Sequence, residues 1–257
     1  MTKDNLNLAN RRMVLATDLD GTFLGGSDAD RDHLYQWISD RRDTVGLVFV
    51  TGRDPEFIAD LCAPGRVPWP DYVVGDVGTT IARVDPDKGI TPIPPLEADI
   101  AAIWADRGPT VRARLAEHPG LTLQDTPFRY RVSYDMDVER FDASAMDIIS
   151  DLGADALISD NRFFDVLPRG ISKGPSLLKL IDHLGVARSR VLAAGDTLND
   201  LSMLIAGTPA VAVGGAEAPL LEALPTRKSI HRADALGAAG ILEAIEVFGL
   251  HLAAAEV

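Results

Sequence analysis

Apolar residues fall into two rhythms along the chain. Short unbroken runs, "MVLAT" (13–17), "LVFV" (47–50) and "YVVG" (72–75), have the length of strands buried on both faces. Between them, residues from about 28 to 42 and those following 53 carry the spacing of amphipathic helices. Strand, helix, strand is the repeat of a parallel sheet with helices on its faces. The rhythm returns late in the chain. A helix is predicted from about 172 to 184, followed by "RVLAAG" (190–195), a helix from about 199, "PAVAVG" (209–214) and further helices to the C-terminus. Both halves are expected to share one sheet.

The middle of the chain follows another pattern. "DPDKGITPIPP" (85–95) is turn-rich and precedes a long helical segment, while "FRYRVSYDM" (128–136) alternates as a half-buried antiparallel strand does. Tyr130 and Tyr134 fall on one face of that strand, as buried core. "ALISDNRFFDVLP" (156–168) reads as two strands around an Asp-Asn turn. The expected architecture is α/β, a Rossmann-like core of residues 1–84 and 168–257 with a parallel sheet, interrupted by an α+β insert at 85–167. There is no internal repeat or low-complexity stretch, and "LAAAEV" (252–257) reads as a frayed tail.

Composition narrows the function classes. The 257 residues are 46% hydrophobic and 25% charged, enough apolar material for one large or two modest cores. No apolar stretch approaches the roughly 20 residues that cross a bilayer, and "MTKDNLNLANRRM" lacks the apolar middle of a signal peptide, so a cytoplasmic location is expected. A single cysteine, Cys62, excludes an intrachain disulfide, and the helix following Arg53 is expected to bury it. A net charge of −13 disfavours nucleic acid or an anionic membrane surface as partner. An anionic small molecule would need a locally positive site, which gives weight to the few lysines: Lys3, Lys88, Lys173, Lys179 and Lys228.

Candidate chemistry gathers at strand ends, where parallel α/β sheets bind ligands. Asp18 and Asp20 follow "MVLAT"; Thr51, Gly52 and Arg53 follow "LVFV"; Asp196, Asn199 and Asp200 follow "VLAAG"; Lys173 opens a helix just after the insert. Each alone has an ordinary explanation. Asp20-Gly21 is a common turn, Thr51-Gly52 can be loop chemistry, and Lys173 or Asp200 can be solvated helix residues. Together they form a constellation. Carboxylates converging on one sheet edge repel unless a cation sits among them, and hard oxygen ligands suit Mg²⁺. A lysine and a hydroxyl beside that metal suit a phosphate.

"DLDGT" (18–22), "VTGR" (50–53), "SKG" (172–174) and "GDTLND" (195–200) resemble, in order, the four motifs of the haloacid dehalogenase superfamily phosphatases. The resemblance implies that the insert is a C2-type cap. It makes Asp18 the nucleophile, Asp20 the general acid and base, and Thr51 and Lys173 the phosphate ligands. It assigns Mg²⁺ to Asp18, the Asp20 backbone carbonyl and Asp196, with Asp200 in the acidic set and Asn199 orienting metal-bound water or Lys173. "PDYVVGDVGTTI" (70–81) and "DVLPRGISKG" (165–174) further resemble the sucrose-phosphate phosphatase group, which includes enzymes acting on mannosylfructose phosphate. That group tends to carry an acidic residue where this chain has Thr80.

Expected substrate contacts are Gly52, Arg53, Asp54, Asp76, Thr80, Arg162, Asp165 and Asn199. The expected activity is Mg²⁺-dependent hydrolysis of a glycosylated sugar phosphate. Its rivals are a broad sugar-phosphate phosphatase and a phosphosugar mutase. A phospho-accepting receiver domain carries similar residues in a different order, and an idle subunit of a synthase complex would not need intact motifs. The expected partners are a small phosphorylated sugar and a cognate glycosyltransferase or synthase.

Overall fold

The computed structural model describes residues 8–87, 89–126 and 128–251. Lys3, Lys88, the first seven residues and the expected tail at 252–257 lie outside the described residues.

The first half builds the centre of a sheet. β1 (Met13–Thr17), α1 (Asp28–Ser39), β2 (Val45–Val50), α2 (Pro55–Cys62) and β3 (Tyr72–Gly75) alternate as predicted. β1, β2 and β3 are buried at every position, so their unbroken apolar runs serve both faces of the sheet. The helices between them start on side-chain caps. Ser27 accepts from the Asp30 amide at 3.2 Å while the Asp30 carboxylate accepts from the Ser27 amide at 3.0 Å. Asp54 accepts from the Phe57 amide at 2.8 Å, with Pro55 opening α2.

β4 (Thr80–Asp85) and β5 (Gly89–Pro92) then extend the same sheet antiparallel. The turn-rich stretch expected at the start of the insert is therefore partly a hairpin of the main sheet. A tight turn is all that an antiparallel neighbour requires. The long helical segment is two helices, α3 (Pro94–Trp104) and α4 (Gly108–Leu115).

A second sheet follows, made of β6 (Leu121–Leu123), β7 (Val132–Met136), β8 (Ala154–Ser159) and β9 (Phe163–Pro168), with α5 (Ser144–Asp151) before β8. Its order is β6-β7-β9-β8, antiparallel throughout. Asp160 and Asn161 take the left-handed conformation, φ 53° and 48°, which a two-residue hairpin turn requires. One face packs on α4 and α5 through Val111, Leu115, Ala145, Ile149, Tyr134 and Phe164. Tyr134 is core, as expected; Tyr130 precedes the strand and donates to Glu97 at 3.3 Å.

The chain returns to the main sheet through α6 (Lys173–Leu184), β10 (Val191–Gly195), α7 (Leu201–Leu204), β11 (Ala210–Gly214), α8 (Ala218–Ala223), β12 (Ile230–Leu236) and α9 (Gly237–Val247). β12 is a strand where only helices were expected. Seven residues of mixed polarity at a sheet edge, partly exposed along their length, leave little periodic signal. The full order is β12-β11-β10-β1-β2-β3-β4-β5, parallel from β12 to β3. α3, α6, α7 and α8 cover one face, and α1, α2 and α9 the other. Cys62 is buried in the second of these cores.

α6 begins close to the backbone of α7: a Cβ on Gly174 would stand 2.1 Å from the Ser202 carbonyl oxygen. Gly174→Ala is therefore expected to destabilise the fold by about 1–3 kcal/mol, read as a lower urea midpoint at unchanged m.

Candidate active site

β1 and β10 lie side by side, and the chain leaves them in opposite directions across the sheet. The crevice beyond their carboxyl ends is the topological switch point. Asp18 emerges there still tied to the neighbouring strand, its amide donating to the Ala194 carbonyl at 2.9 Å. Gly21 turns the loop with φ 79°, and a Cβ at that position would fall 2.1 Å from Asp196 Oδ2. Thr22 Oγ1 donates to Asp196 Oδ1 at 2.5 Å. In "DGT", glycine makes room for a carboxylate of the β10 loop and threonine holds it.

Lys173 enters from the first turn of α6. Its Nζ donates to Asp18 Oδ1, Asn199 Oδ1 and Asp200 Oδ1, each at 2.7 Å. Three donors meet three acceptors, and the lysine is 1% exposed. Burial alone would depress the ammonium; Asp18 and Asp200 outweigh it and hold its pKa above the usual lysine range. Burial raises Asp18 well above the usual carboxylate range, with Lys173 opposing and Asp200 and Asp196 adding repulsion. Asp196 is pushed up to about 7 by burial, against the Thr22 hydrogen bond, with repulsion from Asp200 adding.

Asp18, Asp196 and Asp200 each offer an oxygen within 4.8 Å of the others, a hard donor set that could hold a divalent cation. They are not equivalent. Besides Lys173, Asp200 accepts from the amides of Asp196 and Thr197 at 3.0 and 3.1 Å, which fixes the loop. The second oxygens of Asp18 and Asp196 accept no hydrogen bond among the described residues.

From this centre a cavity of about 440 Å³ runs to the polar face of the second sheet. It is lined by Asp18, Asp20, Thr51 and Lys173 at one end and by Ser159, Phe163 and Asp165 at the other. Gly52, Arg53, Asp54 and Asn199 also line it. Arg53 makes a bidentate pair with Asp20, Nε to Oδ2 at 2.9 Å and the terminal nitrogen to Oδ1 at 3.2 Å. Both partners are about half exposed, so the pair contributes only about 0–1 kcal/mol.

Three expected contacts, Asp76, Thr80 and Arg162, lie elsewhere. Thr80 is buried beneath the cavity, donating to Asp76 Oδ2 at 2.6 Å, and exposed Arg162 stacks over Phe163 with its guanidinium 5.1 Å from the ring centroid. Asp76 serves the turn before β4, and none of the three lines the cavity.

Arg131 is the functional candidate that sequence reasoning missed. Only 6% exposed, it donates to the Gly52 carbonyl at 3.2 Å and to Asp165 at 3.4 Å, and pairs with Asp76 at 3.7 Å. The Phe128 ring lies over its guanidinium, 3.4 Å from centroid to carbon. Ser133 also donates to Asp165. Burial raises Asp76 and Asp165 above the usual carboxylate range, and Arg131 opposes the rise in both. The available signal was a charge just ahead of β7, at the alternation position shared with Ser133 instead of the core position of Tyr134.

The turn that carries Asp76 is strained. Asp76, Val77 and Gly78 all have positive φ, 53°, 58° and 99°. For a β-branched valine this costs about 1–2 kcal/mol. The turn is held by its surroundings: Asp76 and Val77 amides donate to the Arg53 and Thr51 carbonyls at 3.0 and 3.1 Å, and Ser176 of α6 donates to the Gly78 carbonyl at 2.7 Å.

A lysine–carboxylate centre at this switch point, on a parallel sheet interrupted by an antiparallel insert, is the arrangement of the haloacid dehalogenase superfamily, to which the chain belongs. A haloacid dehalogenase-like hydrolase from Bacillus subtilis shares the fold, with a TM-score of 0.68 over 95% of this chain and 94% of that one at 16% identity. Within the superfamily the chain belongs to the sucrose-6F-phosphate phosphohydrolase family, whose profile matches residues 11–249. The sucrose-phosphatase of Synechocystis sp. PCC6803, solved with sucrose and phosphate, superposes with a TM-score of 0.81. It is 25% identical, over 93% of this chain and 98% of that one.

Mannosylfructose-phosphate phosphatase of Agrobacterium fabrum is 30% identical over 93% of this chain and 97% of its own. Glucosylglycerol-phosphate synthase of Pseudomonas anguilliseptica is 42% identical over 92% of this chain, which spans only 31% of that protein. Sucrose-phosphatase 2 of Nicotiana tabacum is 33% identical, and the chain spans 60% of it. No helix among the described residues is long and apolar enough to cross a membrane.

Removing Arg131 would strand two buried carboxylates. Arg131→Gln is expected to cost about 3–5 kcal/mol in urea unfolding. A second expectation concerns pH. Asp196 binds its proton more tightly folded than unfolded, so its contribution to stability is full below the usual aspartate range and is lost as pH rises through about 7. In EDTA, the thermal midpoint should fall between pH 5 and 8, and Asp196→Asn should flatten that fall.

Proposed function

We propose that this chain is a Mg²⁺-dependent phosphomonoesterase whose leaving group is a glycosylated sugar or polyol. The observation that carries the reading is the buried Lys173–Asp18 contact at the head of a cavity long enough to reach the insert. Asp18 is the nucleophile: its carboxylate attacks phosphorus, the bond to the leaving oxygen breaks, and an aspartyl-phosphate remains. Asp20 protonates the leaving alcohol and then takes a proton from the water that hydrolyses the intermediate. Lys173 and the Thr51 hydroxyl bind phosphoryl oxygens, and Asn199 and Asp200 keep Lys173 in place. Arg53, in a weak and exposed pair with Asp20, exchanges that partner for substrate.

Asp18 and Asp196, through their open oxygens, and the Asp20 carbonyl would hold Mg²⁺. Bound there, the ion neutralises charge on the phosphoryl group and lowers the proton affinity of the carboxylates around it. The insert acts as a cap that closes the site against water and reads the leaving group. Since β5 pairs in the main sheet, the cap's own elements run from α3 to β9.

The relatives' names suggest candidate leaving groups: sucrose, mannosylfructose and glucosylglycerol. All are glycosides of a small polyhydroxy acceptor, which supports a cavity that spans two units. A glycosyltransferase acting on a phosphorylated acceptor is the class of reaction that would supply the substrate.

A panel of phosphorylated mono- and disaccharides and of glucosylglycerol phosphate, assayed with Mg²⁺ and with EDTA, tests the reading. Inorganic phosphate should appear from glycoside phosphates only with Mg²⁺. Release of an isomeric phosphate in its place would identify a mutase, and equal rates on all small phosphates a broad phosphatase. Asp18→Asn should lower kcat by at least about 10³-fold with the fold intact, as loss of a covalent nucleophile does.

A further inference from the structure

Val77 is the residue whose local structure is hardest to explain by folding alone. Its backbone holds a left-handed conformation that glycine adopts freely and valine resists, and the next residue in the turn is a glycine. Its side chain is buried, 3% exposed, yet it belongs to none of the three hydrophobic cores. It faces the cavity. The conformation itself is imposed by the hydrogen bonds from Asp76 and Val77 to the carbonyls of Arg53 and Thr51, which any residue would make. What those bonds do not require is an isopropyl group.

The cavity explains the isopropyl group. Its lining is mostly charged or hydroxylic, and its apolar side chains are Val77 from the main sheet and Phe128 and Phe163 from the insert. Phe128 already has a guanidinium on its face, which leaves Val77 as the apolar wall on the main-sheet side. That wall stands at the phosphate end. A Cβ on Gly52 would lie 3.8 Å from Val77 Cγ2, and the Val77 amide is bonded to Thr51. A sugar ring offers hydroxyls around its edge and C–H groups on its faces, so a polar cavity with one aliphatic wall suits it.

Building on the phosphatase reading above, we infer that Val77 is a specificity-determining residue, packing against the C–H face of the phosphorylated sugar or polyol unit. It discriminates by apolar contact, not by hydrogen bonding. A small phosphate whose carbon skeleton is too short to reach the wall gains nothing from it.

The test compares wild type with Val77→Gly, which relaxes the turn and removes the wall, and Val77→Asn, which tolerates the left-handed conformation and presents a polar side chain. The substrates are acetyl phosphate, whose two-carbon acyl group offers no sugar or polyol face, and whichever of sucrose 6-phosphate, mannosylfructose phosphate and glucosylglycerol phosphate the wild type takes best. The readout is the ratio of the two kcat/KM values, with the thermal midpoint measured alongside. Loss of a few methyl-sized contacts should lower that ratio by about 10-fold or more in either folded variant, mainly through a higher KM for the glycoside phosphate. A ratio within 2-fold of wild type overturns the inference, including the case in which both substrates slow together because the turn has shifted. If Val77→Gly does not fold, Val77→Asn decides by the same criterion. Wild type that releases phosphate from none of these compounds overturns the phosphatase reading and this inference with it; an active wild type with an unchanged ratio overturns this inference alone.

Discussion

One buried ammonium organises the molecule's chemistry. Lys173 is almost wholly withdrawn from water, and its three protons go to three separate acceptors on two loops. A cation placed there without partners would be prohibitively costly, and so would Asp18 and Asp200 without the cation. The three groups are therefore mutually obligatory. Their pairing fixes the first turn of α6, the end of β1 and the loop after β10 with respect to one another. The same arrangement leaves one oxygen each on Asp18 and Asp196 with no donor among the described residues, so the residue that neutralises the site does not exhaust it.

A second buried cation, Arg131, does for the insert what Lys173 does for the sheet. It bridges the loop after β2, the strained turn before β4 and β9 of the second sheet. Polar contacts of this kind are strongly directional and sensitive to a small displacement, unlike apolar packing. The strained turn lies between the two cations, bonded to the β2 loop on one side and to α6 on the other. Strain of about 1–2 kcal/mol is easily supported by so many fixed neighbours.

Most of the main sheet could be read from the chain because buried parallel strands are unbroken apolar runs, and the four motifs sit at their ends. Asp18, Thr51, Lys173, Asn199, Asp196 and Asp200 do converge, as their positions after β1, β2 and β10 implied. The legibility fades where structure is not periodic. β12 is an edge strand of mixed polarity, and β5 joins the main sheet through a hairpin whose turn residues look like any linker. Thr80 near the hinge and Arg162 in the insert's hairpin are plausible contacts by position alone, but Thr80 supports Asp76 and exposed Arg162 stacks on Phe163. Arg131 escaped notice because its importance lies in three partners drawn from distant segments, and single-chain spacing carries no trace of them.

The join between β1 and β10 also sets an order of events. Asp18 and Lys173 are 155 positions apart, and Thr22 and Asp196 are 174 apart. The residues of the second sheet lie between them, so all of these are synthesised before β10 can dock beside β1. On a ribosome, then, the N-terminal strands wait, with the Asp18 carboxylate uncompensated, until the last third of the chain emerges. Such long-range pairing slows folding, because the loop must close before its contacts reward it. The two ends of the insert meet, α3 lying against β9, so the insert, once formed, shortens the loop whose closure brings the halves of the main sheet together.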